Sequence, residues 1–306
     1  MVSCETVRVT RRAWIAAAAA AALAAAALLV WQYGRRRPVD ARALLMELPA
    51  GDGLTVFADT RALRESGILQ RLAGEAGAES SDYRAFVAAT GFEYRRDLDA
   101  FVLRSEDGRR WIVAEARIDE DKLRRYFLAQ GGRCVSRLCA MQGSVPERQI
   151  SWVRLKSGRL GLAVNPDPLA AAAFGGKAEL PRWPVPDAPL WLYMPGRMLE
   201  APEGAPAWLQ MAVEGLRGAR YLLWSAAVDG NALRLRLEIA CADGDGARRM
   251  AERWGTVLKS LREAAAEQGD KDSLPALLAE GRLEARGERV EGEWRFEWGR
   301  LEKLLP

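Results

Sequence analysis

Residues 220–241 read Arg220-Tyr-Leu-Leu-Trp-Ser-Ala-Ala-Val-Asp-Gly-Asn-Ala-Leu-Arg-Leu-Arg-Leu-Glu-Ile-Ala-Cys241. Two strand-length runs flank Asp229-Gly230-Asn231, a turn signal that joins antiparallel neighbours. In the second run Leu233, Leu235, Leu237 and Ile239 alternate with polar neighbours, so successive side chains point to an apolar and a polar face. Such alternation belongs to antiparallel sheets covered on one side.

Outward from this hairpin the same order of elements reads twice. The first pass has a strand at 54–59, helices at 66–73 and 81–90, and a hairpin of 100–105 with 110–117 around Glu106-Asp107-Gly108. A helix at 119–130 follows, acidic in its first turn, with Gly131 just past its end. Its Leu123, Tyr126 and Phe127 form one stripe, and a hairpin of 149–155 with 159–164 closes the pass. Beyond four prolines in 180–189 come a strand at 190–194, a helix at 207–216, the quoted hairpin, a helix at 247–267 and a hairpin of 282–286 with 289–298. The expected fold class is therefore α+β: an N-terminal transmembrane helix, then two related antiparallel-sheet units, each strand-helix-hairpin-helix-hairpin, with helices on one face.

The transmembrane expectation rests on residues 13–30, an uncharged, alanine-dominated run between Arg11-Arg12 and Arg35-Arg36-Arg37. A run of this length spans about 30 Å of hydrocarbon, and Trp14, Trp31 and Tyr33 stand where interfacial aromatics belong. No small-residue cleavage site follows it, which suits an uncleaved signal anchor; the alternative is a buried alanine-rich helix. The expected layout is a cytoplasmic tail (1–12), an anchor (13–33), a stalk (34–49), a first unit (50–179), a Pro-rich linker (180–189) and a second unit (190–306). The lipid bilayer is the partner of the anchor. The short basic start favours a single-pass inner-membrane protein with a periplasmic body, although arginines on both flanks leave the orientation open to a cytoplasmic body.

Charge and composition remove several activities. The net charge of +4 could suggest nucleic acid, but residues 1–42 hold seven arginines against Glu5 and Asp40, which leaves the remainder at −1. No nucleic-acid partner is expected. The chain contains no histidine, so a serine triad, a cysteine–histidine pair or a histidine zinc site cannot be assembled.

Cys134-Val-Ser-Arg-Leu-Cys139 follows Gly131-Gly132, and its spacing lets the two thiols meet across a tight turn as a structural disulfide of an oxidising compartment. Cys4 and Cys241 read as single thiols. Gly244-Asp-Gly246 precedes a helix but lacks the third glycine of a dinucleotide fingerprint, Arg249 standing there. Lys156-Ser157-Gly158 has no Ser-x-x-Lys to accompany it and reads as a turn. Asp97 with Asp99, or Asp119-Glu120-Asp121, could supply a carboxylate pair, although capping explains them without catalysis. Trp294, Phe296 and Trp298 share a face, as core or as a sugar-stacking stripe. Asp59-Thr60-Arg61 reads as turn and cap chemistry rather than a charged pair lining a groove, and Asn165-Pro-Asp167-Pro reads as the start of a short helix at 169–174.

Phe57-Ala-Asp-Thr-Arg-Ala-Leu63, residues 83–99 ending Thr90-Gly-Phe-Glu-Tyr-Arg-Arg-Asp-Leu-Asp99, the cysteine hairpin and Leu162-Ala-Val-Asn-Pro-Asp-Pro168 together resemble a family of uncharacterised bacterial envelope proteins, over about residues 44–305. The resemblance implies an N-terminal anchor, a duplicated α+β body and an extracytoplasmic location, and it transfers no activity, cofactor or catalytic residue. No catalytic, cofactor or metal site is expected. The leading expectation is non-catalytic binding of another envelope protein or a lipid-like ligand between sheet and helices. The alternatives are an envelope hydrolase with a carboxylate pair, in which Asp97 or Glu115 would have a raised pKa, and a structural scaffold.

Overall fold

Apolar–polar alternation produces the strands, and backbone pairing joins them all. The computed structural model describes residues 39–73, 80–176, 180–199, 207–268 and 273–301. The chain divides into two compact units, Met1–Val39 and Asp40–Pro306. Only Val39 of the first is described.

The strands are β1 (Leu54–Ala58), β2 (Leu98–Glu106), β3 (Arg109–Ala116), β4 (Arg133–Val135), β5 (Leu138–Gln142), β6 (Gln149–Arg154), β7 (Leu160–Asn165), β8 (Leu190–Pro195), β9 (Tyr221–Asp229), β10 (Ala232–Ala240), β11 (Arg282–Arg286) and β12 (Arg289–Glu297). They form one 12-stranded sheet in the order β11-β12-β10-β9-β8-β1-β2-β3-β7-β6-β5-β4. Every described pairing is antiparallel.

Two expected sheet units are thus corrected to one continuous sheet. The physical reason is β1, which pairs with β2 on one side and with β8 on the other, so neither half ends where the linker begins. About this seam the halves have matching strand orders, β1-β2-β3-β7-β6 and β8-β9-β10-β12-β11. The β4–β5 hairpin extends the first half alone.

The helices are α1 (Ala41–Leu45), α2 (Thr60–Glu65), α3 (Ile68–Ala73), α4 (Ser81–Thr90), α5 (Tyr94–Asp97), α6 (Glu120–Ala129), α7 (Ala207–Gly215), α8 (Gly244–Gln268), α9 (Leu274–Ala279) and α10 (Trp298–Leu301). Side chains cap several starts, as the orphan amides of a first turn require: Asp59 accepts from Ala62 N at 2.8 Å, Ser80 from Tyr83 N at 3.2 Å and Asp119 from Lys122 N at 3.0 Å. On one sheet face, Leu123 and Phe127 of α6 pack on Cys139 and Trp152, and Ala247 and Met250 of α8 pack on Leu237, Ile239, Val290 and Trp294. On the other face, alternation places Thr55, Phe57, Arg104, Gly161, Trp191 and Tyr193. There Arg104 donates to Pro49 O just after α1, and Phe174, following a 3-10 turn at Ala170–Ala173, fills the space a side chain at Gly161 would occupy.

The anchor expectation is corrected as well. Residues 13–30 lie outside the described residues, and among the described residues no helix is long and apolar enough to cross a membrane. The helix of sufficient length, α8, carries Arg248, Arg249, Glu252, Arg253 and Lys259, so it buries a stripe against the sheet instead. The single-pass inner-membrane placement, with cytoplasmic tail and periplasmic body, is set aside with it.

The disulfide is present. Cys134 and Cys139 are directly opposed in the β4–β5 register, with Cα atoms 4.0 Å apart. In the chain-entropy model so short a loop contributes about 2 kcal/mol.

Phe57 and Trp191 are 2% and 0% exposed, and their rings stack across the seam with centroids 5.4 Å apart. Phe57→Ala is expected to cost about 3–5 kcal/mol in denaturant unfolding, the range for emptying a buried aromatic site. A loss under about 1 kcal/mol would contradict the central place given to this contact. Replacing Cys134 and Cys139 together by serine is expected to cost about 2 kcal/mol in the same assay.

Candidate functional site

In the second half the face opposite α8 is left open, and charged side chains occupy it. Across β10, β12 and β11 the register aligns Arg236 with Glu293 and Arg282, and the next row aligns Glu238 with Glu291 and Glu284. With strands about 4.8 Å apart, Arg236 and Arg282 stand about 10 Å from each other across Glu293. The Pro-rich linker forms the wall. Trp183 stacks on Tyr193 at 4.4 Å and meets Trp191 edge-on at 5.3 Å, while Pro189 O accepts from Asp59 N at 2.7 Å. Between these pins Pro184, Pro186 and Ala188 border a groove of about 820 Å³, with Leu223 and Ala227 on its floor.

The glutamates of this face are already paired, whereas Asp187 of the linker wall makes no ion pair among the described residues. Arg289 lies 3.4 Å from Glu238, Arg286 lies 3.1 Å from Glu284 and 3.2 Å from Glu291, and Arg234 lies 3.5 Å from Glu293 and 2.5 Å from Asp229. Among the described residues, Arg236 and Arg282 make no ion pair and no side-chain hydrogen bond, and both line the groove. The arrangement therefore offers two uncommitted guanidiniums beside a wall of Pro184, Pro186 and Ala188, to which Asp187 adds one exposed carboxylate. Such forks hold carboxylate or phosphate oxygens.

Beside the groove Tyr221 donates to Glu238 Oε1 at 2.7 Å. Burial, with this carboxylate next, pushes its pKa up to about 12. Burial and a 2.8 Å hydrogen bond to Asp52 raise Tyr193 further still.

The sequence candidates scatter. Asp97 is gripped by Arg96 at 2.7 Å and accepts from Glu93 N, and the Arg96 hydrogen bond holds its carboxyl below the usual range. Asp99 takes Arg117 at 2.6 Å and Arg64 at 3.2 Å. Glu115 lies 3.5 Å from Arg159. These carboxylates tie the corner between α5, β2 and β3, and a lowered Asp97 is the reverse of what a general acid requires. Asp119 caps α6, and its carboxyl is lowered chiefly by Lys122 N.

The other motifs resolve as structure. Asp243 Oδ1 accepts from Gly246 N at the start of α8, and Lys156-Ser157-Gly158 turns between β6 and β7 with Gly158 at φ 83°. Asn165 and Asp167 accept from the backbone of Asp167 and Leu169. Trp294, Phe296 and Trp298 are buried, and Trp294 donates to Leu278 O while its ring fills the space beside Gly281 and Gly292. Cys241 is buried, its thiol raised by desolvation; Cys4 lies outside the described residues. Among the described residues no group of three metal-ligating side chains forms. Because the sheet–helix layer is filled by core, the place expected for a ligand shifts to the opposite face.

Sequence reasoning missed Arg236 and Arg282. The signal was the charged side of the alternating runs at 232–241 and 289–298, but only the register reveals which arginines are left without acids.

Tyr221 stays neutral in the folded protein up to about pH 12, whereas an ordinary tyrosine ionises near 10. Between those values the unfolded chain releases a proton that the folded chain keeps, so the contribution is complete below pH 10 and is lost as pH rises through the window. Thermal unfolding of the wild type is expected to fall more steeply between about pH 10 and 12 than that of Tyr221→Phe. Parallel curves would contradict the half-buried tyrosine–glutamate pair.

No protein-family model matches this chain, and no curated protein matches it. Among solved structures it is similar to crystal form I of TP0453, with 9% identity and a TM-score of 0.43 over 87% of this chain and 96% of that one. Crystal form IV gives 8% and 0.42 over 85% and 95%, and crystal form III gives 9% and 0.43 over 85% and 96%. Likeness of that order assigns neither fold nor activity to this chain.

Proposed function

We propose that this chain is a non-catalytic binding protein that holds an anionic, lipid-like ligand in the groove on the open face of its second half. The headgroup lies between Arg236 and Arg282, and the apolar part lies against Pro184, Pro186 and Ala188. The observation that supports this is the pairing pattern: each sheet glutamate beside the groove is in an ion pair with an arginine, while Arg236 and Arg282, which flank Glu293, are in none. The groove's size falls within the range of small-ligand clefts, and its floor is a rigid sheet held by hydrogen-bonded neighbours. The Cys134–Cys139 bridge suits a chain that matures in an oxidising compartment.

The test is isothermal titration of the full chain with dodecyl phosphate below its micellar concentration. Saturable binding is expected, weakened at least about tenfold in the Arg236→Ala/Arg282→Ala double variant, since a charge-assisted contact contributes about 1.5–3 kcal/mol. Equal affinity in the two proteins would overturn the proposal. So would binding of an acidic peptide but not of the alkyl phosphate, which would give the groove to a protein segment instead.

A further inference from the structure

The β4–β5 hairpin has no counterpart in the matching strand order of the second half, and it ends the sheet on that side. It is stapled by Cys134–Cys139 and turns through Ser136-Arg137, with Ser136 at φ 54°. Arg124 of α6 donates to Ser136 O at 3.3 Å, which fixes the turn against the helix. At this stiffened tip Val135 is 75% exposed, the highest value among the exposed large apolar side chains described, and Leu128, one helical turn beyond Arg124 on α6, is 48% exposed.

Charge surrounds these apolar groups. Arg124, Arg125, Arg133 and Arg137 are all exposed, and among the described residues none of them makes an ion pair. The acids of α6 lie in its first turn, where Glu120 is taken by Arg154 at 2.7 Å.

We propose that this tip docks on an anionic bilayer surface, with Val135 entering the interfacial region and the arginines facing lipid phosphates. Arginines near an anionic leaflet are attracted individually and additively, and an apolar side chain at the same tip gains by leaving water. A protein partner fits less well. A narrow, convex two-residue turn offers far less than the roughly 800 Å² per side that a specific protein interface needs. The disulfide keeps the tip in one conformation, so little ordering is lost on contact. The inference is independent of the groove, which lies toward the opposite edge of the sheet.

The experiment places a dansylated alanine at position 135 of the full chain by amber suppression and follows its emission. Vesicles of equal parts phosphatidylglycerol and phosphatidylcholine are expected to shift the emission to the blue, and pure phosphatidylcholine vesicles are not. Arg133→Glu/Arg137→Glu is expected to raise the lipid concentration at half-maximal shift at least about tenfold. Both positions are exposed, and non-reducing mass spectrometry of the variant checks that the disulfide is intact. No shift on the anionic vesicles, an equal shift on the neutral ones, or a shift indifferent to charge reversal overturns the proposal. A response to soluble polyglutamate without one to vesicles also overturns it, in favour of an acidic protein.

Discussion

Phe57 and Trp191 stack across the strand pair that joins the two halves, and the rest of the architecture depends on that pair. β1 and β8 are short, so the backbone hydrogen bonds between them are few, and burial of large side chains supplies most of the stabilisation. Trp191 is fully buried between Phe57 and Trp183, and Trp183 in turn lies flat on Tyr193. The aromatic stack therefore fixes the linker in the act of fixing the seam. A loop that might have been a passive connection becomes one wall of a groove.

The second half separates two tasks by sheet face. Residues at alternate positions of β10 and β12 pack under α8 and α9, while the intervening arginines and glutamates face the groove. Exposed ion pairs contribute about 0–1 kcal/mol each, and three glutamates directly opposed across neighbouring strands repel one another. Fold stability does not call for this pattern. This glutamate row, compensated by arginines on one side, with Arg236 and Arg282 in no ion pair on the other, is the pattern on which the proposed ligand groove rests.

Local structure was legible wherever periodicity and capping agreed. The strands at 220–228 and 232–241, the helix at 81–90 ending on left-handed Gly91, and the helix expected at 119–130 all lie within a few residues of β9, β10, α4 and α6. The same signals misled where they were brief. Asp59, read as turn and cap chemistry, does cap a helix, but that helix, α2, was not expected, and Gly67 at φ 75° separates it from α3, so the helix expected at 66–73 begins at Ile68. Arg133–Val135 and Leu138–Gln142 are too short to show alternation, so the cysteine spacing was visible while its strands were not. The antiparallel joining of residues 54–58 to 190–195 was not legible at all, because contacts more than a hundred residues apart leave no local trace. For the same reason neither the single sheet nor the unmatched Arg236 and Arg282 could be read in advance.

A sheet of this breadth has two ends, and each bears on whether copies of the chain can stack. β11 presents Arg282, Glu284 and Arg286 on one face at one margin, and β4 closes the other with three residues and a covalent crosslink. A strand from another copy that approached β11 would have to bring matched charges, and one that approached β4 would find almost no ladder to extend. Both margins thus discourage fibre-like growth by edge-to-edge addition of strands.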